Sequence, residues 1–244
     1  MSYMRTAYRE HLENFSRDVE VLADAVENIM RKASTALLTQ SLQSAEDALS
    51  ASDELEDLRA RCEERAVSLL ALENPMAKDL RQVISSIYIV EDFHRMGQLG
   101  KHIAKIARRR HPESPIPAPY RGHFERVCEL ARHMSESARE VLTNPDTDGA
   151  LELHHDDDEV DNLHHWLLAQ TTDDRWQGDT CEAVETAMLS RYYERYADHC
   201  VNVASRIVFL NTGLAPEEYL ARQEEDARTE NVDAELKAYK HQFS

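Results

Sequence analysis

The residues with the clearest chemical potential are two carboxylates one helical turn apart, Glu194 and Asp198, followed a turn later by Asn202. They lie in Arg191-Tyr-Tyr-Glu-Arg-Tyr-Ala-Asp-His-Cys-Val-Asn-Val-Ala204, a stretch of helical periodicity. At about 100° per residue, Asp198 stands roughly 40° and Asn202 roughly 80° from Glu194, so the three share a face. Leu189, Tyr192, Tyr196, Val203, Ile207 and Leu210 gather on the opposite side, and Ala183, Ala187, Ala197 and Ala204 flank the acids. The pattern predicts an apolar face and a second, low-relief face from which two carboxylates project. Like charges at this spacing cost a helix roughly 0.2–0.5 kcal/mol, so something must offset them. Arg191 and Arg195 are close enough to pair with the acids. A hard or borderline cation held by carboxylate oxygens is the alternative.

Such a face needs long helices to hold it, and the composition supplies them. Of 244 residues, 42% are apolar, only six are Gly and seven are Pro, which argues for an all-α chain. Leu12, Phe15, Val19, Leu22, Val26, Ile29 and Ala33, extended by Leu37, form a heptad-like seam and mark a first bundle helix. A polar break over Thr39–Ser44 leads to a second helix over about 45–71, with an acidic patch of Asp53, Glu54, Glu56 and Asp57. Such a patch reads as a solvated face, although Asp53 and Asp57 repeat the spacing of Glu194 and Asp198. Asn74-Pro75 reads as an N-cap and first helical position. The third helix then runs to Arg110, polar in its middle at Glu91, Asp92, His94, Arg95 and Gln98. Arg108-Arg109-Arg110 would complement its dipole.

Four prolines in 112–119 predict a stiff linker. A fourth helix follows with Phe124, Val127, Ala131, Met134, Ala138 and Val141, and Asn144-Pro145-Asp146 ends it. A fifth spans about 148–171 and a sixth about 180–211, with Gly213 as C-cap. The expected organisation is a three-helix repeat over 1–111, the linker over 112–119, a second three-helix repeat over 120–213 and an acidic tail over 214–244. A helical turn or two is expected after Pro216.

The two halves align. At an offset of 105, Val26, Ile29, Ala33 and Leu37 fall on Ala131, Met134, Ala138 and Leu142, and Asp53, Glu56 and Leu58 fall on Asp158, Asp161 and Leu163. At an offset of 100, Arg95 falls on Arg195 and Ala104 on Ala204. The fold expected is six long helices, each about 45 Å, as two related three-helix bundles. In the second half, Asp157, Asp158 and Asp161 would face Glu194 and Asp198. Those carboxylates would repel without a cation, and with one they form an oxygen-rich site for iron, manganese, magnesium or zinc. In the first half His94 and Gln98 stand where the second has Glu194 and Asp198. Asp53, Glu56, Asp57, Glu91 and Asp92 remain there as candidate ligands of a weaker or differently composed site.

Composition also excludes functions. With 46 acidic against 28 basic residues and a net charge of −18, binding to nucleic acid or anionic lipid through a general basic field is not expected. Cys62, Cys128, Cys181 and Cys200 form no C-x-x-C pair and suit reduced, half-buried thiols. There is no apolar h-region at the start, and no apolar run approaches the roughly 18–20 residues of a membrane span. No P-loop, nucleophile elbow or basic anion pocket is visible, so neither catalysis nor direct phosphate binding is expected.

Glu194-Arg-Tyr-Ala-Asp198-His-Cys-Val-Asn202-Val-Ala204 resembles the "ERxxDHxxNxA" signature of the PhoU-type phosphate-uptake regulators. Pro75-Met-Ala77-Lys-Asp79-Leu80-Arg81 resembles that family's "P-x-A-x-D-L-R" helix start. The likeness runs from Leu12 to Gly213 and takes in Arg195, Asn202, Asp79, Arg81 and Arg95 as motif positions. The resemblance implies two similar three-helix bundles, with metal clusters held at the acidic motifs. It also implies a cytoplasmic, homodimeric, non-enzymatic protein that restrains phosphate uptake and the starvation response. Such proteins act between a phosphate ABC transporter's ATPase and a membrane sensor histidine kinase. Two other readings stand beside it. Glu91-x-x-His94 and Glu152-x-x-His155 match the short motif of di-iron carboxylate, ferritin-like oxidases. A metal-free helical adaptor would leave the acidic patches as solvated faces.

Overall fold

The heptad-like seam becomes one wall of the core: Phe15, Val19, Leu22, Val26, Ile29, Ala33 and Leu37 are all essentially sealed from solvent. They belong to α1 (Ser2–Thr39) of a computed structural model that describes residues 2–72, 77–144, 146–222 and 225. The chain continues through α2 (Leu42–Asp53), α3 (Leu55–Leu72), α4 (Ala77–Arg110), α5 (Arg121–Thr143), α6 (Thr147–Thr171) and α7 (Thr180–Thr212). A single 3-10 turn, Ala118–Tyr120, precedes α5. The described residues contain no strand.

Among the described residues the expected six long helices become seven, α1 to α7, because the second is broken at Glu54. The break seats Leu55, fully buried, where Gly97 of α4 leaves room; a Cβ at 97 would collide with the Leu55 side chain. Asp53 and Asp57 therefore sit on different helices and do not share one helical face. The helix ends follow capping chemistry. Ser41 Oγ accepts from Ser44 N at 3.2 Å before α2, and Asp146 accepts from Asp148 N before α6. Asp179 and Glu182 form a reciprocal capping box at the start of α7. Gly213 closes α7 in the left-handed conformation (φ 79°), donating to Phe209 O at 2.8 Å. Asn74-Pro75, Pro145 and the tail beyond 225 lie outside the described residues; the turn expected after Pro216 is a helix over 216–222.

α1, α4, α7 and α5 pack round in a ring, with α2 and α3 laid on α1 and α4, and α6 on α5 and α7. One hydrophobic core runs through both halves. The 112–119 connection packs onto it through Ile116, and the adjoining Tyr120 stacks on Trp176 at 4.9 Å. α4 and α7 run antiparallel. Arg110 meets Glu185, His102 stacks on Tyr192, Asp92 meets His199 and Arg206 lies over Tyr88. α1 and α5 are antiparallel too, Leu38 meeting Arg121 and Asp24 meeting Arg139. Two antiparallel seams between equivalent helices are what a two-fold relation between duplicated halves produces.

The arginines at the end of α4 do more than complement its dipole. Glu185 on α7 is only 2% exposed and accepts from Arg109 Nη2 at 2.7 Å and from Arg110 Nε at 2.6 Å. A buried carboxylate with two charge-assisted donors couples the halves at one end of the seam. Glu185→Ala should lower unfolding free energy by about 1.5–3 kcal/mol, the range for hydrogen bonds to charged groups. Glu136→Ala, which removes the exposed pair with Arg132, should cost under about 1 kcal/mol. Urea midpoints of the two variants check this; equal, small losses would mean that the buried carboxylate couples nothing.

Candidate functional site

α6 and α7 pack along their length and bring the second-half acids together. Asp157 and Asp161 on α6 are half-buried, Asp158 is exposed, and on α7 Glu194 is buried while Asp198 is exposed. Glu194 therefore does not project from the surface as the helical pattern predicts. The cause is that α7 touches α4, α5 and α6, so its buried arc is wider than one apolar stripe. That arc takes in Tyr193, sealed beside Tyr196, whereas Tyr192, expected on the apolar face, is half-buried against His102.

The electrostatics of this cluster are those of acids crowded out of water. Burial pushes the Asp157 carboxyl up to about 7, helped by Asp161, Asp198, Asp158 and Glu194. Glu194 is raised by burial and then by Asp198, with Arg191 opposing. Arg191 does pair with Glu194 through Oε1, the offset read from the spacing, while Arg195 is exposed. One buried oxygen of each of these two acids, Asp157 Oδ1 and Glu194 Oε2, has no hydrogen-bond partner among the described residues. As the side chains stand, no three His, Cys, Asp or Glu groups among those residues are close enough to hold a metal ion.

The first half uses the same frame with opposite electrostatics. His94, in the place of Glu194, puts Nε2 3.1 Å from Glu56, whose other oxygen receives Arg59 at 2.6 Å. Arg59 holds the Glu56 carboxyl below the usual range. Glu91 pairs with Arg95 at 2.8 Å and Asp53 with Lys101 at 3.0 Å; Asp57 is exposed. Asp92 meets His199 Nδ1 of α7 at 2.9 Å, across the seam between halves. Basic side chains thus contact four of the five first-half candidates. His199 and Arg59 escaped the sequence reading: His199 adjoins Asp198 in the motif, but no spacing rule links it to a residue 107 positions away.

The remaining motif residues lie along α4 and α7. Asp79 lies in the first turn of α4 and Arg81 lies over the Phe209 ring at 5.9 Å. Asn202 lines a cleft of about 350 Å³ with Tyr88, Asp92, Ser205, Arg206 and Phe209. The ferritin-like constellation does not form: Glu152 and His155 are exposed on α6, and Glu91 and His94 are held by Arg95 and Glu56. Cys62, Cys128 and Cys200 are buried, but Cys181 is exposed rather than half-buried. No helix among the described residues is long and apolar enough to cross a membrane.

The PhoU domain family model matches residues 19–107 and again 124–207. The chain is 41% identical over 213 residues to "Phosphate-specific transport system accessory protein PhoU homolog 2" of Mycobacterium tuberculosis, covering 87% of this chain and all of that relative. It is 38% identical over 215 residues to the corresponding PhoU homolog 1 of Mycobacterium leprae, covering 88% and 97%. The crystal structure of PhoU from Pseudomonas aeruginosa superposes with a TM-score of 0.78 at 23% identity, covering 85% of this chain and 100% of that one. The phosphate transport system regulatory protein PhoU from Streptococcus pneumoniae gives 0.77 at 22%, covering 85% and 98%. These two likenesses concern the fold.

The raised Asp157 carboxyl has a pH signature. The folded chain keeps this proton up to about pH 7, whereas the unfolded chain releases it near 3.8. The folded form therefore binds it more tightly, and the stability this contributes is complete below the unfolded value and lost as pH rises through 7. In chelator-treated protein, Asp157→Asn should exceed wild type in urea resistance at pH 8, the advantage growing from pH 4 to 7. Parallel profiles across that window would show that the carboxyl titrates normally.

Proposed function

The chain belongs to the PhoU family, and on that premise we propose that it is an accessory regulator of a phosphate-specific transport system. It restrains phosphate uptake and the starvation response from the cytoplasm. The observation that carries the reading is the match of the family model to both halves of one continuous helical bundle. The mycobacterial relatives, matched over nearly their whole length, are named as accessory proteins of such systems. In this reading the protein works by contact rather than catalysis. Long helices offer faces to which partner helices can be fitted. The partners are the ATPase of the phosphate transporter and the membrane sensor histidine kinase, with the chain acting as a homodimer.

A cation at the second-half cluster belongs to the proposal because of the two orphaned, buried oxygens, Asp157 Oδ1 and Glu194 Oε2. Asp157, Asp161, Glu194 and Asp198, with Asp158 at the edge, would hold it after their side chains turn toward one another, since as they stand no three are close enough. The donors are hard oxygens, which suit magnesium, manganese, iron or zinc with water completing the shell. A bound cation supplies charge neutralisation between α6 and α7. Four of the five first-half acids, already met by Arg59, His94, Arg95, Lys101 and His199, fit a cation poorly.

Affinity capture from phosphate-replete cells, with wild type and Glu194→Ala/Asp198→Ala, tests both parts. Wild type should recover the transporter's ATPase or a sensor kinase and carry metal; the variant should lose the metal. Joint loss of metal and partner would make the face a metal-dependent contact, and loss of metal alone would make the ion structural. Capture of neither partner sinks the regulatory reading. Unchanged metal content and thermal stability in the variant would favour the metal-free adaptor, and oxygen-dependent iron oxidation would revive the oxidase.

A further inference from the structure

Near the start of α4 and the end of α7 the surface changes character. Leu80, Ile84 and Tyr88 follow one another at single-turn intervals on α4 and are 41%, 40% and 49% exposed; Phe209 beside them on α7 is 37% exposed. Residues at i, i+4 and i+8 form one strip, so these side chains make an open apolar surface rather than scattered exposures. Two arginines are set into it. Arg206 of α7 lies 4.2 Å from the centre of the Tyr88 ring of α4, and Arg81 of α4 lies 5.9 Å from that of Phe209 of α7. Among the described residues neither arginine has a carboxylate within ion-pair distance. That is notable in a chain with 46 acidic residues to 28 basic ones.

The neighbouring acids are already matched. Glu91 is held by Arg95 and Arg59, and Asp92 faces His199. Asp79 lies in the first turn of α4, where a negative charge is balanced by the free N–H groups of the helix start. The charge left uncompensated on this strip is therefore the two guanidiniums. Arg206 stands at contact distance over the Tyr88 ring, and Arg81 reaches across to α7 between Phe209 and Gly213; a guanidinium held in this way can still present N–H donors to a carboxylate.

We propose that the strip of Leu80, Ile84, Tyr88 and Phe209, with Arg81 and Arg206, docks an amphipathic helix of a partner protein whose apolar face is edged by carboxylates. The inference rests on the regulatory reading above, in which the protein works by contact, and deepens it by naming the chemistry of a partner. A second copy presenting the same surface would set arginine against arginine, because a two-fold contact pairs like patches. An anionic membrane would offer the right charge to this patch, but the net charge of −18 repels the chain as a whole from it.

The test uses purified full-length chain, so it does not depend on recovering a transporter. The probe is a fluorescent peptide of about 18 residues, five helical turns, with a leucine face edged by glutamates. A second peptide carries lysines in place of the glutamates. The glutamate peptide should bind, and raised salt should weaken it. Arg81→Gln/Arg206→Gln should weaken it about tenfold, as should Ile84→Ser/Tyr88→Ser. Ile84 and Tyr88 are exposed and Arg81 and Arg206 half-buried, and circular dichroism should confirm unchanged helix content in both variants. Failure of the glutamate peptide to bind wild type overturns the proposal, as does equal binding of the lysine peptide or indifference to the arginine changes. Capture by phosphatidylglycerol vesicles without peptide binding would assign the strip to a membrane surface. Self-association in sedimentation, abolished by Ile84→Ser/Tyr88→Ser, would assign it to a second copy. A chain that binds the peptide but recovers no transporter component keeps this surface and loses only the phosphate-regulatory reading.

Discussion

The antiparallel seam between α4 and α7 is the constraint on which the rest of the molecule depends. It joins the last helix of one half to the last helix of the other, and its contacts change in kind along its length. At one end Arg109 and Arg110 close on the buried Glu185. In the middle His102 stacks on Tyr192 and Asp92 meets His199. At the other end Arg206 and Arg81 lie over the rings of Tyr88 and Phe209. Polar groups in such a seam must find partners, since a buried unpaired charge costs far more than the pair returns. Each of these pairs therefore requires one register of α4 against α7, which in turn positions α6 and α3 on the flanks.

A second set of contacts holds α7 from its other side. Tyr193 and Tyr196 are fully buried, and each hydroxyl is satisfied across a helix boundary. Ser34 of α1 lies 2.9 Å from the Tyr193 hydroxyl, which also accepts from Cys128 of α5 at 3.1 Å, and Tyr196 donates to Ser135 of α5 at 2.8 Å. Large rings give these contacts area, and the hydroxyl demands a specific partner, so they add direction to packing that is otherwise non-directional. α7 is thereby enclosed from three sides, and that enclosure turns Glu194 inward.

The duplicated halves show how one frame can carry two electrostatic states. Position 194 holds a carboxylate among carboxylates, with Arg191 as its near cation, and the neighbouring Asp157 is pushed up to about 7. Its equivalent, His94, contacts Glu56, and Arg59 holds that acid below its usual range. The helix order is shared, apart from the break at Glu54 that has no counterpart in α6. The difference arises from a few substitutions of acid by base, and burial magnifies the Coulomb interactions in the second half, where Asp157 and Glu194 are withdrawn from water.

Much of this was determined by the sequence alone. The seam of α1, the all-helical class, the duplication and the αL glycine at 213 follow from periodicities and capping rules that act within a few turns of chain. The gathering of Asp157 and Asp161 near Glu194 and Asp198 was legible as well, because the two halves align and α6 must return along α7. The tertiary structure alone decided which acids meet cations. The pairings of Glu185 with Arg110, Asp92 with His199 and Glu56 with His94 join residues far apart in the chain. It also decided the break at Glu54, which answers to the room left by Gly97, and the burial of Glu194, which answers to three neighbours rather than one. The physical reason is common to all of them. Helical periodicity reports how a residue stands relative to its own helix, whereas burial and charge compensation are set by the helices packed against it.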